Sequence, residues 1–314
     1  MSTFASLIGQ PHAVELLAQA IARDRIAPAY LFAGSPGIGK RLAAQCFLQL
    51  LLSPSPRLPV SPTLHRRIVE RNHPDLLWVE PTYVHQGKRL SAAEADAAGL
   101  KRKTPPMVRL EQIREITQFL SRSPLEAPRS VVIIDAAETL PESAANALLK
   151  TLEEPGQATI ILLAPSADAL LPTIVSRCQR IPFYRLDQLS MTQVLRQTGH
   201  DVILTQPQVL ALAQGSPGDA IAHWQKLETI PPELLASAMT LPRTLRDALG
   251  LARTITKTLD GEAQLWLVGY LQQVYWSQAG SAKALQLLEK AREYLLAYVQ
   301  PQLVWEVTLM QMMG

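Results

Sequence analysis

Up to residue 183 the chain alternates between short apolar runs and longer stretches with apolar residues at helical spacing; beyond it only the helical pattern remains. Leu7 to Asp24 sets Val14, Leu16, Leu17, Ala20 and Ile21 at that spacing, and Pro11 suits the first turn, where a missing N–H is harmless. Ala29 to Ala33 is a short apolar run ending at Gly34, as expected of a central parallel strand. Leu42 to Leu52 continues as an apolar helix, and Leu76 to Glu80 is a second strand. Val108 to Arg122 predicts an amphipathic helix through Leu110, Ile113, Ile116, Phe119 and Leu120. Ser130 to Asp135 (SVVIID) is the clearest strand: β-branched, apolar and closed by a carboxylate. Pro141 to Glu154 is a helix ended by Pro155, and Thr159 to Ala164 is another buried strand. Leu170 to Ile174 leads into Ser176-Arg177-Cys178, and Gln179 to Phe183 is a short strand. Two stretches are expected to be irregular: Ser53 to Pro62, with its four prolines, and the polar Pro81 to Pro106, a mobile loop.

Alternating strands and helices imply an α/β fold, a parallel sheet with helices on both faces. After Tyr184 come short helices around Gly215-Ser216-Pro217-Gly218, and Pro231-Pro232 marks a boundary. Leu234 to Gly314 is helical throughout, as in Ala282 to Val299, where Leu285, Leu288, Ala291, Leu295 and Val299 form one stripe. The expected divisions are therefore residues 1–183, 184–230 and 231–314.

Composition adds boundaries to this picture. With 314 residues, 47% hydrophobic and 18% charged, the chain suits a globular protein of several domains. No apolar run approaches the roughly 20 residues of a membrane span, and Met1 to Gln10 has no signal-peptide pattern, so the cytoplasm is expected. Cys46 and Cys178 are too few for a disulfide framework or a cysteine zinc site, and both read as small buried residues. The net charge of +3 does not announce a nucleic-acid binder. Its distribution is uneven: residues 57–129 hold 13 Lys/Arg against 8 Asp/Glu. Lys101-Arg102-Lys103 within them reads as a solvated loop or a phosphate contact.

The chemistry centres on Gly34-Ser35-Pro36-Gly37-Ile38-Gly39-Lys40-Arg41, which fits G-x-x-x-x-G-K between a strand and a helix. In such a loop, backbone N–H groups hold phosphate oxygens, the lysine neutralises them, and a following hydroxyl ligates magnesium. Gly34, Gly37, Gly39 and Lys40 can supply the first two parts. Arg41 stands at the hydroxyl's position and carries only donors. Asp135 ends a strand where a carboxylate could hold magnesium through water. The next position, where a hydrolytic site places a water-polarising acid, is Ala136, and the nearest acid is Glu138. Arg177 offers a guanidinium suited to transferring phosphate, but the bare tripeptide carries almost no signal and by itself reads as a surface arginine.

Gly9-Gln10, Ala29 to Phe32 before the loop, His73-Pro74-Asp75, the strand ending at Asp135, Asn146 to Pro155 (NALLKTLEEP) and Ser176-Arg177-Cys178 occur in that order. Over about residues 5–185 the chain resembles the AAA+ clamp-loader subunits of bacterial DNA polymerase III, and most of all the delta-prime members. The resemblance implies an AAA+ P-loop domain (1–183), a small helical lid (184–230) and an all-α collar for oligomerisation (231–314). It implies a hetero-pentameric ring with gamma/tau and delta subunits that loads a sliding clamp on primed DNA. Arg177 would then be an arginine finger reaching a neighbour's nucleotide, and Asn146 to Pro155 would lie near DNA. Gly218 stands where active relatives carry a nucleotide-sensing arginine. Many relatives also carry a four-cysteine zinc module where Ser53 to Asn72 has none, and His65, His73 and His85 are too scattered to replace it, so no zinc is expected. No cofactor is required on this reading, and ATP or ADP binding at Lys40 stays open. Three readings remain: a catalytically silent ring subunit, an independent P-loop ATPase in DNA repair or remodelling that uses Lys40, Asp135 and Glu138, and a nucleotide-holding sensor. The joint loss of hydroxyl, acid and sensor arginine favours the first.

Overall fold

The computed structural model describes residues 3–54, 61–99, 104–279 and 282–313. Lys101-Arg102-Lys103 lies outside the described residues. The chain divides into two compact units, Met1–Ser190 and Met191–Gly314.

The first unit opens with α1 (Pro11–Ala22), β1 (Ala29–Ala33) and α2 (Lys40–Leu51), followed by α3 (Pro62–Val69) and β2 (Leu76–Val79). A small hairpin, β3 (Tyr83–His85) and β4 (Lys88–Leu90), precedes α4 (Ala92–Ala97) and α5 (Leu110–Leu120). Then come β5 (Ser130–Ile134), α6 (Glu142–Glu153), β6 (Ala158–Ala164), α7 (Pro172–Val175) and β7 (Gln179–Pro182); α8 (Gln188–Gln197) contains the division. Among the described residues the main sheet has five strands in the order β2-β5-β6-β1-β7, every neighbouring pair parallel. Ala29 faces Ile160 and Val131 faces Thr159, which aligns the carboxyl ends of β1, β5 and β6. Every residue of β5 and β6 is buried, which explains why both read as unbroken apolar runs. Leu148 and Leu152 of α6 and Ile113 and Ile116 of α5 pack in one core with Val132, Ile134, Ile160 and Leu162. This is the α/β class expected from the sequence, with the strand order that sets a loop after β1 beside the ends of β6 and β5.

Two expectations for irregular segments are corrected. The described part of the polar stretch from Pro81 to Pro106 holds a hairpin and α4: Gln86 and Gly87 both take positive φ (49° and 76°), the conformation of a tight two-residue hairpin turn that pairs Tyr83 with Leu90. The asparagine-glycine pair that usually marks such a turn is absent, so the pattern gave no signal. Pro62 starts a helix instead of extending a loop, because a proline at the first helical turn loses no hydrogen bond. Cys46 is buried, whereas Cys178 is only half-buried.

The second unit continues with α9 (Pro207–Ala213), α10 (Pro217–Thr229), α11 (Pro232–Ala238), α12 (Leu245–Thr258), α13 (Gly261–Ala279), α14 (Ala282–Leu296) and α15 (Pro301–Met312). Its core gathers Leu251, Ile255, Leu267, Leu271, Leu288, Trp305 and Leu309. The buried Trp305 Nε1 donates to Gln264 Oε1 at 2.9 Å, and Gln264 Nε2 donates to Leu259 O at 2.9 Å, so the apolar interior holds a satisfied polar pair. Residues 191–230 of the segment expected as a lid, and all of the segment expected as a collar, fall in this unit, while residues 184–190 belong to the first. Of the stripe on α14, Leu288 and Ala291 are buried, Leu285 and Leu295 are partly buried, and Val299, past the helix end, is exposed. No helix among the described residues is long and apolar enough to cross a membrane.

Candidate functional site

β1 delivers the glycine loop to the carboxyl edge of the sheet, and α2 leaves from it at Lys40. The loop's glycines have reasons rooted in packing. A Cβ at Gly34 would stand 2.5 Å from Phe183 O, where the chain leaves the sheet. Gly37 and Gly39 take left-handed backbone (φ 70° and 102°), and a Cβ at Gly39 would meet Leu7 Cδ1 at 3.0 Å. A second tie comes from the buried Gln10. Its Nε2 donates to Ile38 O at 3.2 Å and Tyr184 O at 2.6 Å, and its Oε1 accepts from Tyr184 N at 3.0 Å. One amide thus joins the start of α1, the loop and the strand exit.

The two cations of the loop are engaged within the chain. Lys40 Nζ donates to Ser35 O at 2.7 Å and also to Gly34 O. Arg41 Nε donates to Asp135 Oδ2 as an ion pair; the Arg41 side chain is largely exposed and Asp135 is buried. Neither end of α2's first turn carries an acid, so Lys40 and Arg41 face the positive end of the helix dipole and Asp135 supplies the missing negative charge. Asp135 Oδ1 accepts from Ala136 N at 2.9 Å. Magnesium does not fit here. It needs oxygen ligands, whereas Arg41 presents N–H donors and already holds one oxygen of the carboxylate the metal would use.

Ala136 takes left-handed backbone (φ 47°) and offers no side-chain oxygen. Glu138 follows on a short 3-10 turn and is exposed. Desolvation raises its carboxyl above the usual glutamate range, against its own backbone N–H and the charge of Lys40. Arg177, just past α7, donates from Nη2 to Glu153 Oε1 at 2.5 Å and from Nη1 to Thr173 O at 3.0 Å. Next to it, burial pushes the Cys178 thiol up to about 11, which leaves it a protonated, unreactive packing group at neutral pH. Gly218 is the second residue of α10, whose N-terminus is capped by Ser216 accepting from Asp219 N at 3.1 Å. The structure therefore pairs Arg41 with Asp135, turns Lys40 back onto the carbonyls of its own loop and sets Arg177 against Glu153.

The histidines are dispersed in separate roles. His65 Nδ1 meets Gln49 Nε2 at 2.9 Å, His73 Nδ1 accepts from Asp75 N at 3.1 Å, and His85 lies on the exposed hairpin. The His73-Pro74-Asp75 segment is architectural: Asp75 accepts from the N–H groups of Leu125, Glu126 and Ala127 at 2.6, 2.8 and 2.7 Å. Nothing in the local pattern at Asp75 pointed to a turn about fifty residues further on, and nothing at Glu153 pointed to Arg177.

Comparison with known proteins decides the family. The profile described as "DNA polymerase III, delta subunit" matches residues 9–187, more than half of the chain, and that of "Cyanobacterial DNA polymerase III delta prime, C-terminal domain" matches residues 189–312. The chain belongs to the DNA polymerase III delta-prime family. Among curated members, the delta-prime subunit of Bacillus subtilis (strain 168) is 35% identical over 182 residues, 56% of this chain and 48% of that protein. The tau subunit of Escherichia coli (strain K12) is 28% identical over 317 residues, 99% of this chain and 43% of that one. The chain thus spans less than half the length of these curated relatives. The crystal structure of a Thermotoga maritima gamma subunit-related protein shares the fold, with a TM-score of 0.52 and 20% identity over 95% of this chain and 98% of that one. The chain thus carries the glycine loop with an arginine at the position where the motif places a magnesium-ligating hydroxyl.

Proposed function

We propose that this chain is a subunit of the bacterial DNA polymerase III clamp loader that hydrolyses no ATP itself and lends Arg177 to a nucleotide on the adjacent gamma/tau subunit. Its setting is a cytoplasmic hetero-pentameric ring with gamma/tau and delta subunits that places a sliding clamp on primed DNA. The observation that carries the reading is the ion pair of Arg41 with Asp135. An enzyme's phosphate loop opposes a carboxylate to a hydroxyl so that a metal can sit between them; here a permanent cation fills that role. Ala136 leaves no base to orient water, and Gly218 leaves no side chain to sense phosphate. Losing such transition-state ligands removes several kcal/mol, on the order of 10³-fold in rate. On this reading no cofactor is required: the glycines serve the turn from β1 to α2, zinc has no role, and bound ATP or ADP is dispensable.

What remains for chemistry is a guanidinium at an exposed edge. Arg177 would neutralise charge developing on phosphate oxygens, which a planar fork of N–H donors does well. In the reconstituted complex, Arg177→Ala is expected to lower clamp- and DNA-stimulated ATP hydrolysis while the complex still assembles on a sizing column. Unchanged hydrolysis in an intact complex would overturn the assignment.

A further inference from the structure

Arg177 does not stand clear of its own chain. Its Nη2 is 2.5 Å from Glu153 Oε1, and its Nη1 is 3.0 Å from Thr173 O one helical turn back. Glu153 is the last residue of α6. A carboxylate at the carbonyl end of a helix opposes the backbone dipole, so helix stability gives no reason for an acid there. Its partner supplies one. A guanidinium grips carboxylates and phosphates with the same edge of N–H donors, so the two anions compete for it.

Resting on the reading of Arg177 as the donated arginine, we propose that Glu153 is its positioning residue: an in-chain carboxylate that holds the guanidinium until a phosphate of the neighbouring subunit's nucleotide takes its place. The exchange breaks one ion pair and makes another, with no covalent change. The strength of the pair suits a reversible hold. The side chains of Arg177 and Glu153 are 36% and 51% exposed, the regime in which ion pairs are weak and screened by salt. A pair of that kind shifts an equilibrium by about two- to five-fold. Glu153 also ties the finger to α6, so any contact that moves the end of this helix changes how readily Arg177 leaves.

The test is ATP hydrolysis at sub-saturating ATP in the complex reconstituted with gamma/tau and delta subunits. Glu153→Gln keeps the side chain's size and removes its charge. It is expected to raise hydrolysis about two- to five-fold at low salt, with the gain shrinking as salt rises. Glu154→Gln, its exposed neighbour, is expected to give no gain. In the Arg177→Ala background, Glu153→Gln is expected to change nothing. If Arg177→Ala lowers hydrolysis but Glu153→Gln leaves it flat or lowers it, the positioning proposal falls and the finger stands. A gain from Glu153→Gln that persists without Arg177 also overturns the proposal. If Arg177→Ala itself has no effect, the finger reading falls first.

Discussion

Arg41 and Asp135, 94 residues apart, meet where the loop after β1 faces the end of β5, the arginine Nε donating to a carboxylate oxygen. This contact gives the loop's last position a role that its departure from the motif leaves unexplained. An arginine on the first turn of α2 is electrostatically misplaced on its own. Paired with Asp135, it gains the negative charge that the first turn of α2 lacks; on the proposed reading this pair stands where a divalent ion would.

Restoring one part of the site should therefore restore no activity. Arg41→Thr returns a hydroxyl but leaves Ala136 without an oxygen to orient water. The purified variant is expected to hydrolyse ATP no faster than the wild-type chain in a phosphate-release assay. A measurable gain would show that a base other than residue 136, such as Glu138, is at work.

The glycines of the loop should matter without nucleotide. At Gly34 a methyl group would press on Phe183 O at 2.5 Å and Ile38 Cδ1 at 2.7 Å. Gly34→Ala is expected to cost about 1–3 kcal/mol in urea unfolding with no ATP present. Lys40→Ala, which removes bonds to two loop carbonyls from a partly exposed amine, is expected to cost less. The reverse order would mean that the loop is shaped for a ligand.

Gln10 should behave as a structural clasp. Gln10→Ala strips Tyr184 N of its acceptor and Ile38 O and Tyr184 O of a donor inside the fold. An expected loss of about 1–3 kcal/mol follows from leaving such groups unmatched. Hydrogen exchange at the Tyr184 amide reports it directly, and unchanged protection in the variant would exclude the clasp.

Asp75 should link stability to acid pH. Burial pushes its carboxyl up, but the N–H groups of Leu125, Ala127 and Glu126 outweigh that and hold it below the usual aspartate range. A depressed pKa means that the unfolded chain takes up the proton first. The contribution is therefore fully present above the unfolded value of about 3.9 and is lost as pH falls through the lower folded value. Asp75→Asn turns an amide NH2 toward backbone N–H groups and is expected to cost about 2 kcal/mol at pH 7. The gap to wild type should close below about pH 4; a gap independent of pH would contradict the account.

The middle of the sheet was legible because β5 and β6 are buried on both faces. Val131 to Ile134 and Ile160 to Leu163 carry no polar residue to blur the pattern, and Gly34 and Pro155 punctuate their neighbours. The hairpin at Tyr83 to Leu90 was not legible: its strands are three residues each and mostly exposed, and Gln86 reaches a left-handed conformation that glutamine does not advertise. The candidate site was legible only as a set of residue types, since Lys40, Arg41, Asp135, Ala136 and Arg177 each sit at a motif position. Its pairings were not. That Arg41 closes on Asp135 and Arg177 on Glu153 depends on strand order and helix ends, which no local window contains.

The most direct measurement of the central claim is steady-state ATP hydrolysis by the purified chain alone, with magnesium, beside Lys40→Ala. The account predicts the same background rate for both. Turnover by the wild-type chain that disappears in Lys40→Ala would contradict it, because a loop whose magnesium position is held by Arg41 and whose base is missing has no means to supply it.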